Sequence, residues 1–137
     1  MLIMAVDLGL ARTGVALSDA GEAFAFPKGV IAEKNETALV GKIVAAAKEY
    51  GAGRIVVGLP KNMDGSSGER AEASERIANK ITELSGIETV LFDERCTTVC
   101  AHTYLNMNDV RGKKRKNTVD AVAATLILED YLKSIKK

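Results

Sequence analysis

The chain opens with short apolar runs separated by polar turns. Residues 2–6 are continuously apolar, which is typical of a strand buried on both faces of a sheet. Residues 13–18 and 24–31 are further β-like runs, and an Asp-Ala-Gly turn at residues 19–21 separates them. Tight turns between consecutive strands favour antiparallel pairing. We therefore predict a three-stranded antiparallel meander whose first strand is central.

Beyond the meander, strands and helices alternate. Residues 54–58 and 88–92 are predicted strands. Between them, Ser66 and Glu69 form a capping box for a helix that Gly86 closes. Strands joined through helices pair in parallel.

Three further helices are predicted. The first is amphipathic and runs from an Asn35 cap to Tyr50, the second begins at Thr97 or Thr98, and the third is capped by Asn117. Together with the strands they predict one α/β domain over residues 1–137. In this fold class a mixed five-stranded sheet, with a three-strand meander and parallel strands, is covered by helices on both faces.

Composition narrows the classes of protein to which the chain can belong. It has 137 residues, 47% of them hydrophobic, and no apolar run long enough to cross a bilayer. Its two cysteines, Cys96 and Cys100, cannot build a disulfide framework or a zinc set. We expect a soluble cytoplasmic protein without a membrane partner. The net charge is only +1, so any contact with nucleic acid must be local.

Acidic residues at the ends of predicted strands are the candidate chemistry. Asp7 follows the first strand, and Asp93 and Glu94 follow the fifth. Ligands of open α/β sheets bind outside the carboxyl ends of the strands, where these acids can converge with Asp120 of the last helix. Convergent carboxylates repel one another unless cations join them. Mg²⁺ or Mn²⁺ would fit such a site and would support phosphodiester hydrolysis.

Each acid also has an ordinary structural interpretation. Asp7 is compatible with a turn residue, and Asn117 with Asp120 has the spacing of a helix cap. Strand alternation sends Asp93 and Glu94 to opposite faces, so only one of them is expected in a site. From the residues alone these alternatives stay open.

Two polar segments are candidate contacts for nucleic acid. The loop over residues 59–68 contains Lys61 and Asn62 and joins a strand end to a helix start, where backbone N–H groups can hold a phosphate. A basic run precedes the last helix, and we interpret it as a flexible loop that grips the nucleic-acid backbone. The run consists of Arg111, Lys113, Lys114, Arg115 and Lys116.

Four motifs, in this order along the chain, resemble those of the YqgF (RuvX-like) family. They are DLGLARTGVALSD at residues 7–19, VVGLPKNMDG at 56–65, DERCTT at 93–98, and KKRK at 113–116 with VDAVAA at 119–124. The match runs nearly end to end. The string GLPKNMDG is the most distinctive part.

The resemblance implies a ribonuclease H-like fold related to Holliday junction resolvases, and a nuclease that matures the 5′ end of the small-subunit ribosomal RNA precursor. It also implies a catalytic and metal-binding set of Asp7, Glu94 and Asp120, with Glu94 preferred over Asp93. Similar proteins often carry a Lys-Arg pair where this chain has Ala11 and Arg12. Arg12 is therefore the expected phosphate contact of that turn, and Arg95 is a further nucleic-acid candidate.

Two other functions compete with a metal-dependent endonuclease. One is a non-catalytic nucleic-acid or ribosome-binding module on the same fold, which would bind through the basic run without cleavage. The other is an ATPase, because the turn after Asp7 resembles the phosphate loop of actin-like and sugar-kinase enzymes. Those enzymes close two lobes around a nucleotide, and 137 residues supply only one. The oligomeric state, monomer or homodimer, stays open.

Overall fold

The fold is known from a computed structural model that describes residues 1–9, 12–59, 69–93 and 112–135. Side chains are described for these residues except 69, 70, 93 and 112–120. The elements, in chain order, are β1 (Ile3–Leu8), β2 (Arg12–Ser18), β3 (Ala25–Ala32), α1 (Glu36–Tyr50), β4 (Arg54–Leu59), α2 (Glu69–Ser85), β5 (Glu88–Asp93) and α3 (Gly112–Ile135). No helix within these ranges is long and apolar enough to cross a membrane.

The five strands form one mixed sheet in the order β3-β2-β1-β4-β5. β1 to β3 pair antiparallel as the predicted meander. β4 pairs in parallel with β1 on one side and with β5 on the other. The predicted architecture is confirmed, and β1 is the central strand. β3 and β5 are the edges.

Alternate residues of the central strand feed two cores on opposite faces of the sheet. Met4 and Val6 pack with α1 and α2, whereas Ile3 and Ala5 pack with α3. This alternation is the two-residue period of a strand. Because both faces of β1 are covered by helices, its sequence is a continuous apolar run.

The boundaries of α1 follow from its capping residues. The side chain of Asn35 accepts a hydrogen bond from the backbone N–H of Ala38, which satisfies one free donor of the first turn. Gly51 ends the helix with φ 73°, a left-handed conformation that glycine adopts without steric cost. Both predicted ends of this helix are confirmed.

The last helix differs from its prediction. α3 begins at Gly112, so Asn117 lies inside the helix and is not its cap. The basic residues 113–116 are helical as well, and the predicted flexible loop is wrong for them. Lysine and arginine are good helix formers, so a run of them extends a helix when packing supports the following turns. The predicted helix starting at Thr97 or Thr98 and the Ser66 cap lie outside the described residues.

A salt-bridge network of three side chains joins α1 to α2. The Glu36 carboxylate accepts hydrogen bonds from the Arg76 guanidinium, at 2.7 Å from Nη2, and from Lys80 Nζ at 2.5 Å. The Arg76 hydrogen bond and then the Lys80 hydrogen bond lower the pKa of Glu36 to about 2 from its ordinary 4.5. The charged form is therefore favoured in the folded state.

Glu36→Gln should lower the free energy of unfolding by about 1 kcal/mol at neutral pH, because a three-charge network is stronger than one exposed pair. A carboxylate with a lowered pKa stabilises the fold above its unfolded pKa, and that stability is lost as pH falls from 4.5 towards 2. Urea unfolding of both proteins at pH 7 and at pH 3 measures the difference, with the exposed Glu49→Gln on the same helix as control. A deficit of equal size at both pH values would contradict this account.

Candidate active site

Asp7 lies inside β1 and not after it. Backbone pairing with β2 continues through Asp7 opposite Gly14 and Leu8 opposite Thr13, which extends the strand two residues beyond its predicted end. Asp7 is half-buried. Ile3 and Ala5 face α3, so the two-residue period places the Asp7 side chain on that same face.

Glycines flank Asp7 on both neighbouring strands. Gly14 is its partner on β2. On β4, Gly58 is one step beyond the parallel pair Val6 and Val57, and it therefore stands beside Asp7. Neither of these two neighbours carries a side chain, so at the level of Asp7 both adjoining strands present backbone. A phosphate or a cation can approach a surface of this kind closely.

These two glycines were not predicted as site residues. Gly14 and Gly58 each lie two residues from a side chain of the α3-side core, Ala16 and Val56 respectively. Both therefore face α3, in the same row as Asp7. The only sign in the sequence is a glycine two residues from a buried apolar residue of the same strand. This spacing identifies a neighbour of Asp7 only when the order of the strands is known.

The fifth strand continues the row across the sheet. Phe92 pairs with Gly58, and its ring makes an edge-on contact with Tyr131 of α3 at a centroid distance of 5.9 Å. Val90 and Phe92 both pack against the α3-side core. Asp93 is the last residue of β5 and pairs with Leu59. Two strand spacings separate β1 from β5, a distance of roughly 10 Å.

Helix α3 runs antiparallel to β1. One cavity between β3 and α3 is lined by Phe24 and Leu132, and the next along the strand is lined by Pro27 and Val122. Residue numbers therefore fall along α3 in the direction in which they rise along β3, so the helix and the strand run in opposite directions. Because β3 has the same direction as β1, the amino-terminal half of α3 lies towards the carboxyl end of β1.

A second contact fixes the level of α3 along the sheet. The Tyr131 hydroxyl accepts a hydrogen bond from Arg54 Nη1 at 2.9 Å, and Arg54 is level with Ile3 at the start of β1. Asp120 precedes Tyr131 by a helical rise of about 16 Å. Asp7 follows Ile3 by a strand rise of about 13 Å. The backbone of Asp120 therefore lies near the level of Asp7.

Gly9, the residue that follows β1, has no room for a side chain. A Cβ added at Gly9 would lie 2.3 Å from the carbonyl oxygen of Arg12, far inside van der Waals contact. Glycine at position 9 thus permits this close approach of the start of β2 to the end of β1. Arg12 is the first residue of β2, is half-buried and has interaction partners.

The remaining predicted site residues divide into two groups. Lys113, Lys114, Arg115 and Lys116 form the first turns of α3, at the same end of the helix as Asp120. Outside the described residues lie Lys61, Asn62, Glu94, Arg95 and Arg111. Among the side chains that the structure describes, no group of three His, Cys, Asp or Glu could hold a metal ion. Glu94 and the side chains of Asp93 and Asp120 lie outside that described set.

Known sequences match the chain along nearly its whole length. Residues 1–134 match the model of the RuvX family, described as Holliday junction resolvase. A Bacillus cytotoxicus protein named "Putative pre-16S rRNA nuclease" is 41% identical over 98% of this chain and 99% of its own. A protein of the same name from Geobacillus thermodenitrificans is 43% identical over the same shares.

Comparisons of structure point to one fold. RuvC of T. thermophilus in complex with a Holliday junction substrate superposes with a TM-score of 0.62 at 9% identity, over 99% of this chain and 97% of that one. The Fowlpox virus resolvase in complex with Holliday junction DNA gives 0.59 at 12% identity, over the full length of both chains. The sheet and its helices thus have the ribonuclease H-like fold of these resolvases.

Proposed function

Because this chain belongs to the RuvX family of Holliday junction resolvases, we propose that it is a divalent-metal-dependent endonuclease that hydrolyses phosphodiester bonds in nucleic acid. The name of the curated relatives favours the precursor of 16S ribosomal RNA, cut at its 5′ end, as the substrate. The family description favours branched DNA as the second candidate. A ribosomal RNA substrate would place the enzyme in the cytoplasm.

The observation that carries this proposal is the position of Asp7. A half-buried carboxylate on the central strand stands between two glycines, on the sheet face that α3 covers. The residues level with Asp7 on both neighbouring strands, Gly14 and Gly58, carry no side chain, which suits a phosphodiester drawn close to a carboxylate.

Asp120 is the proposed partner of Asp7 on the helix. It precedes Ala123, Ala124 and Ile127 by three, four and seven residues, and these three are buried against the sheet. Positions at this spacing share one face of a helix. The helical register of Asp120, together with its level along the sheet, supports a place beside Asp7.

We propose Glu94, and not Asp93, as the third acid. The described part of β5 alternates, with Val90 and Phe92 on the α3 side. The next residue in that series is Glu94, whereas Asp93 belongs to the opposite series. Strand phase thus supports the same choice as the family resemblance.

These residues suit Mg²⁺ or Mn²⁺, because three carboxylates supply the hard oxygen ligands that both ions prefer. Three carboxylates in one place would otherwise repel one another. When bound, the ions supply an activated water and stabilise the leaving oxygen of the hydrolysed bond. Asp7 on the central strand, Asp120 on α3 and Glu94 after β5 would hold the ions.

The basic residues are proposed to hold the substrate backbone. Lys113, Lys114, Arg115 and Lys116 lie on the first turns of α3, at the end that carries Asp120. Because they are helical, their backbone positions are fixed relative to Asp120. Cations here neutralise phosphates next to the bond that is cut. The other proposed contacts are Arg12, Lys61, Asn62, Arg95 and Arg111.

The test is a cleavage assay with purified protein in Mg²⁺ and in Mn²⁺. The substrates are a 5′-extended 16S precursor fragment, an unrelated single-stranded RNA of equal length and a four-way DNA junction. We expect cleavage within the precursor or the junction, and little cleavage of the unrelated RNA. Tight binding without cleavage of any substrate would instead identify a non-catalytic binding module.

A further inference from the structure

Tyr131 joins α3 to both parallel strands of the sheet. Its hydroxyl accepts a hydrogen bond at 2.9 Å from Nη1 of Arg54, the first residue of β4. Its ring meets the ring of Phe92 on β5 edge-on, with the ring planes at 89°. Tyr131 is buried, and both aromatic rings pack within the α3-side core. The proposed set of metal-binding acids does not include these residues.

Arg54 is held from the other side by an ion pair within the sheet. Its Nε lies 2.8 Å from Oε1 of Glu88, and these two residues pair as the first residues of β4 and β5. A guanidinium is planar, so a partner at Nε and another at Nη1 together orient it. The hydroxyl of Tyr131 therefore meets a donor whose place is set by two strands.

The part of α3 that follows Asp120 meets the sheet through small side chains. The buried residues of this part are Ala121, Ala123 and Ala124. Ala124 belongs to the same core cluster as Ala5 of β1 and Ala16 of β2. Apolar contact has no preferred direction, and alanines form no high ridges that interlock. This part of the interface thus gives little resistance to sliding of the helix, whereas a hydrogen bond weakens steeply with distance and angle.

Asp120 and Tyr131 share one helix at a spacing that links their positions. Eleven residues make about three full turns, so both positions lie on the same face of α3. Because a helix is stiff along its axis, a contact that fixes residue 131 also fixes the backbone of residue 120. A metal site requires its ligands within about 0.5 Å of the productive geometry, and one residue along a helix is already about 1.5 Å. A small slide of α3 is therefore enough to weaken metal binding.

We propose that Tyr131 and Arg54 are positioning residues for the metal site, which set the level of Asp120 relative to Asp7 on the sheet. This inference rests on the proposed metal-binding set and adds to it a pair of residues at the opposite end of the sheet. Tyr131 acts through the helix and does not touch the metal or the substrate. The contact with Phe92 holds the ring of Tyr131 against β5, the strand that precedes Glu94.

A contact that only stabilises the fold would behave differently from a positioning contact. Its loss would lower the resistance to unfolding and leave the metal affinity of the folded protein unchanged. Thr125 supplies the matched control, because it is buried on α3 and its hydroxyl donates to the carbonyl of Ala121 at 2.8 Å within the helix. Thr125→Val thus removes a buried hydrogen bond of the same helix without touching β4 or β5.

Calorimetric titration of the full chain with Mn²⁺ alone tests the proposal. Tyr131→Phe keeps the ring and its contact with Phe92 but removes the hydroxyl. We expect the Kd for Mn²⁺ to rise about tenfold in this variant, the lower end of the range for residues that support metal ligands. Thr125→Val should keep the wild-type Kd, although urea unfolding shows both variants to be less stable. An unchanged Kd in Tyr131→Phe, or an equal rise in both variants, would overturn the proposal.

A double-variant cycle tests whether the two residues act as a pair. Arg54→Met should raise the Kd for Mn²⁺ as far as Tyr131→Phe does, and the double variant should raise it no further, because either change removes the same hydrogen bond. Additive rises in the double variant would contradict the pairing.

The titration separates this proposal from the nuclease proposal, because it needs no cleavage. Wild type that binds Mn²⁺ but cuts no substrate would contradict the nuclease proposal alone. Wild type that does not bind Mn²⁺ would overturn the positioning role. If the protein does cut, saturating Mn²⁺ should restore the cleavage rate of Tyr131→Phe to within a few-fold of wild type, with the KM for the nucleic acid unchanged.

Discussion

Asp7→Asn should abolish cleavage of whichever substrate the wild-type protein cuts, with a rate loss of roughly a thousandfold or more. Asparagine keeps the shape of the side chain but supplies one neutral oxygen where a charged ligand is required. Because Asp7 is half-buried and stands between Gly14 and Gly58, no core packing is lost. The variant should therefore keep the fold and the affinity for nucleic acid. Single-turnover cleavage and equilibrium binding measure the two quantities separately.

Asp130→Asn is the matched control for this prediction, because Asp130 is an exposed aspartate further along α3. Its cleavage rate should equal that of wild type. Full activity in Asp7→Asn would remove Asp7 from the catalytic site. A simultaneous loss of binding and of the cooperative unfolding transition would show that Asp7 is structural.

Glu94→Gln should lower cleavage by roughly a hundredfold, whereas Asp93→Asn should leave it within a few-fold of wild type. The two acids are adjacent in sequence, so each variant serves as the control for the other. The difference follows from strand phase, since Val90 and Phe92 pack on the α3 side. Both rates come from the same single-turnover assay, at saturating Mn²⁺ and again at low Mn²⁺. A larger loss in Asp93→Asn than in Glu94→Gln would reverse the assignment.

The sheet could be predicted because local patterns determine most of it. Residues 2–6 are apolar without interruption because β1 is buried on both faces, and helix-mediated connections fixed the parallel pairs. The ends of α1 were predictable from Asn35 and Gly51, whose preferences are set within one turn of the chain.

The start of α3 was not predictable by the same means. The run of positive charge at residues 113–116 favoured a loop, whereas the helix propensity of lysine and arginine favoured a helix. Packing of the later turns of α3 against the sheet stabilises the helical conformation. Asn117 has the composition of a cap but lies inside the helix. A local signal of this kind is overridden once the preceding residues are held in helical conformation.

The site was predictable as a list of acids but not as an arrangement. Asp7 could be singled out from its position near the end of a buried strand. That it stands between Gly14 and Gly58 depends on which strands neighbour β1 and in what register, and neither is encoded near residue 7. The level of Asp120 likewise depends on the contact of Tyr131 with Arg54, far away in sequence. Whether the three acids act together stays a prediction.

The rate of cleavage as a function of Mn²⁺ concentration tests whether this protein is a metal-dependent nuclease that acts through Asp7. Wild-type protein and a 5′-labelled 16S precursor fragment are used, with a chelator arm and an Asp7→Asn arm. We expect that the rate rises to saturation with Mn²⁺, that chelation abolishes it, and that Asp7→Asn stays at background at every concentration. Cleavage that persists at full rate in chelator, or in Asp7→Asn at saturating Mn²⁺, would contradict it.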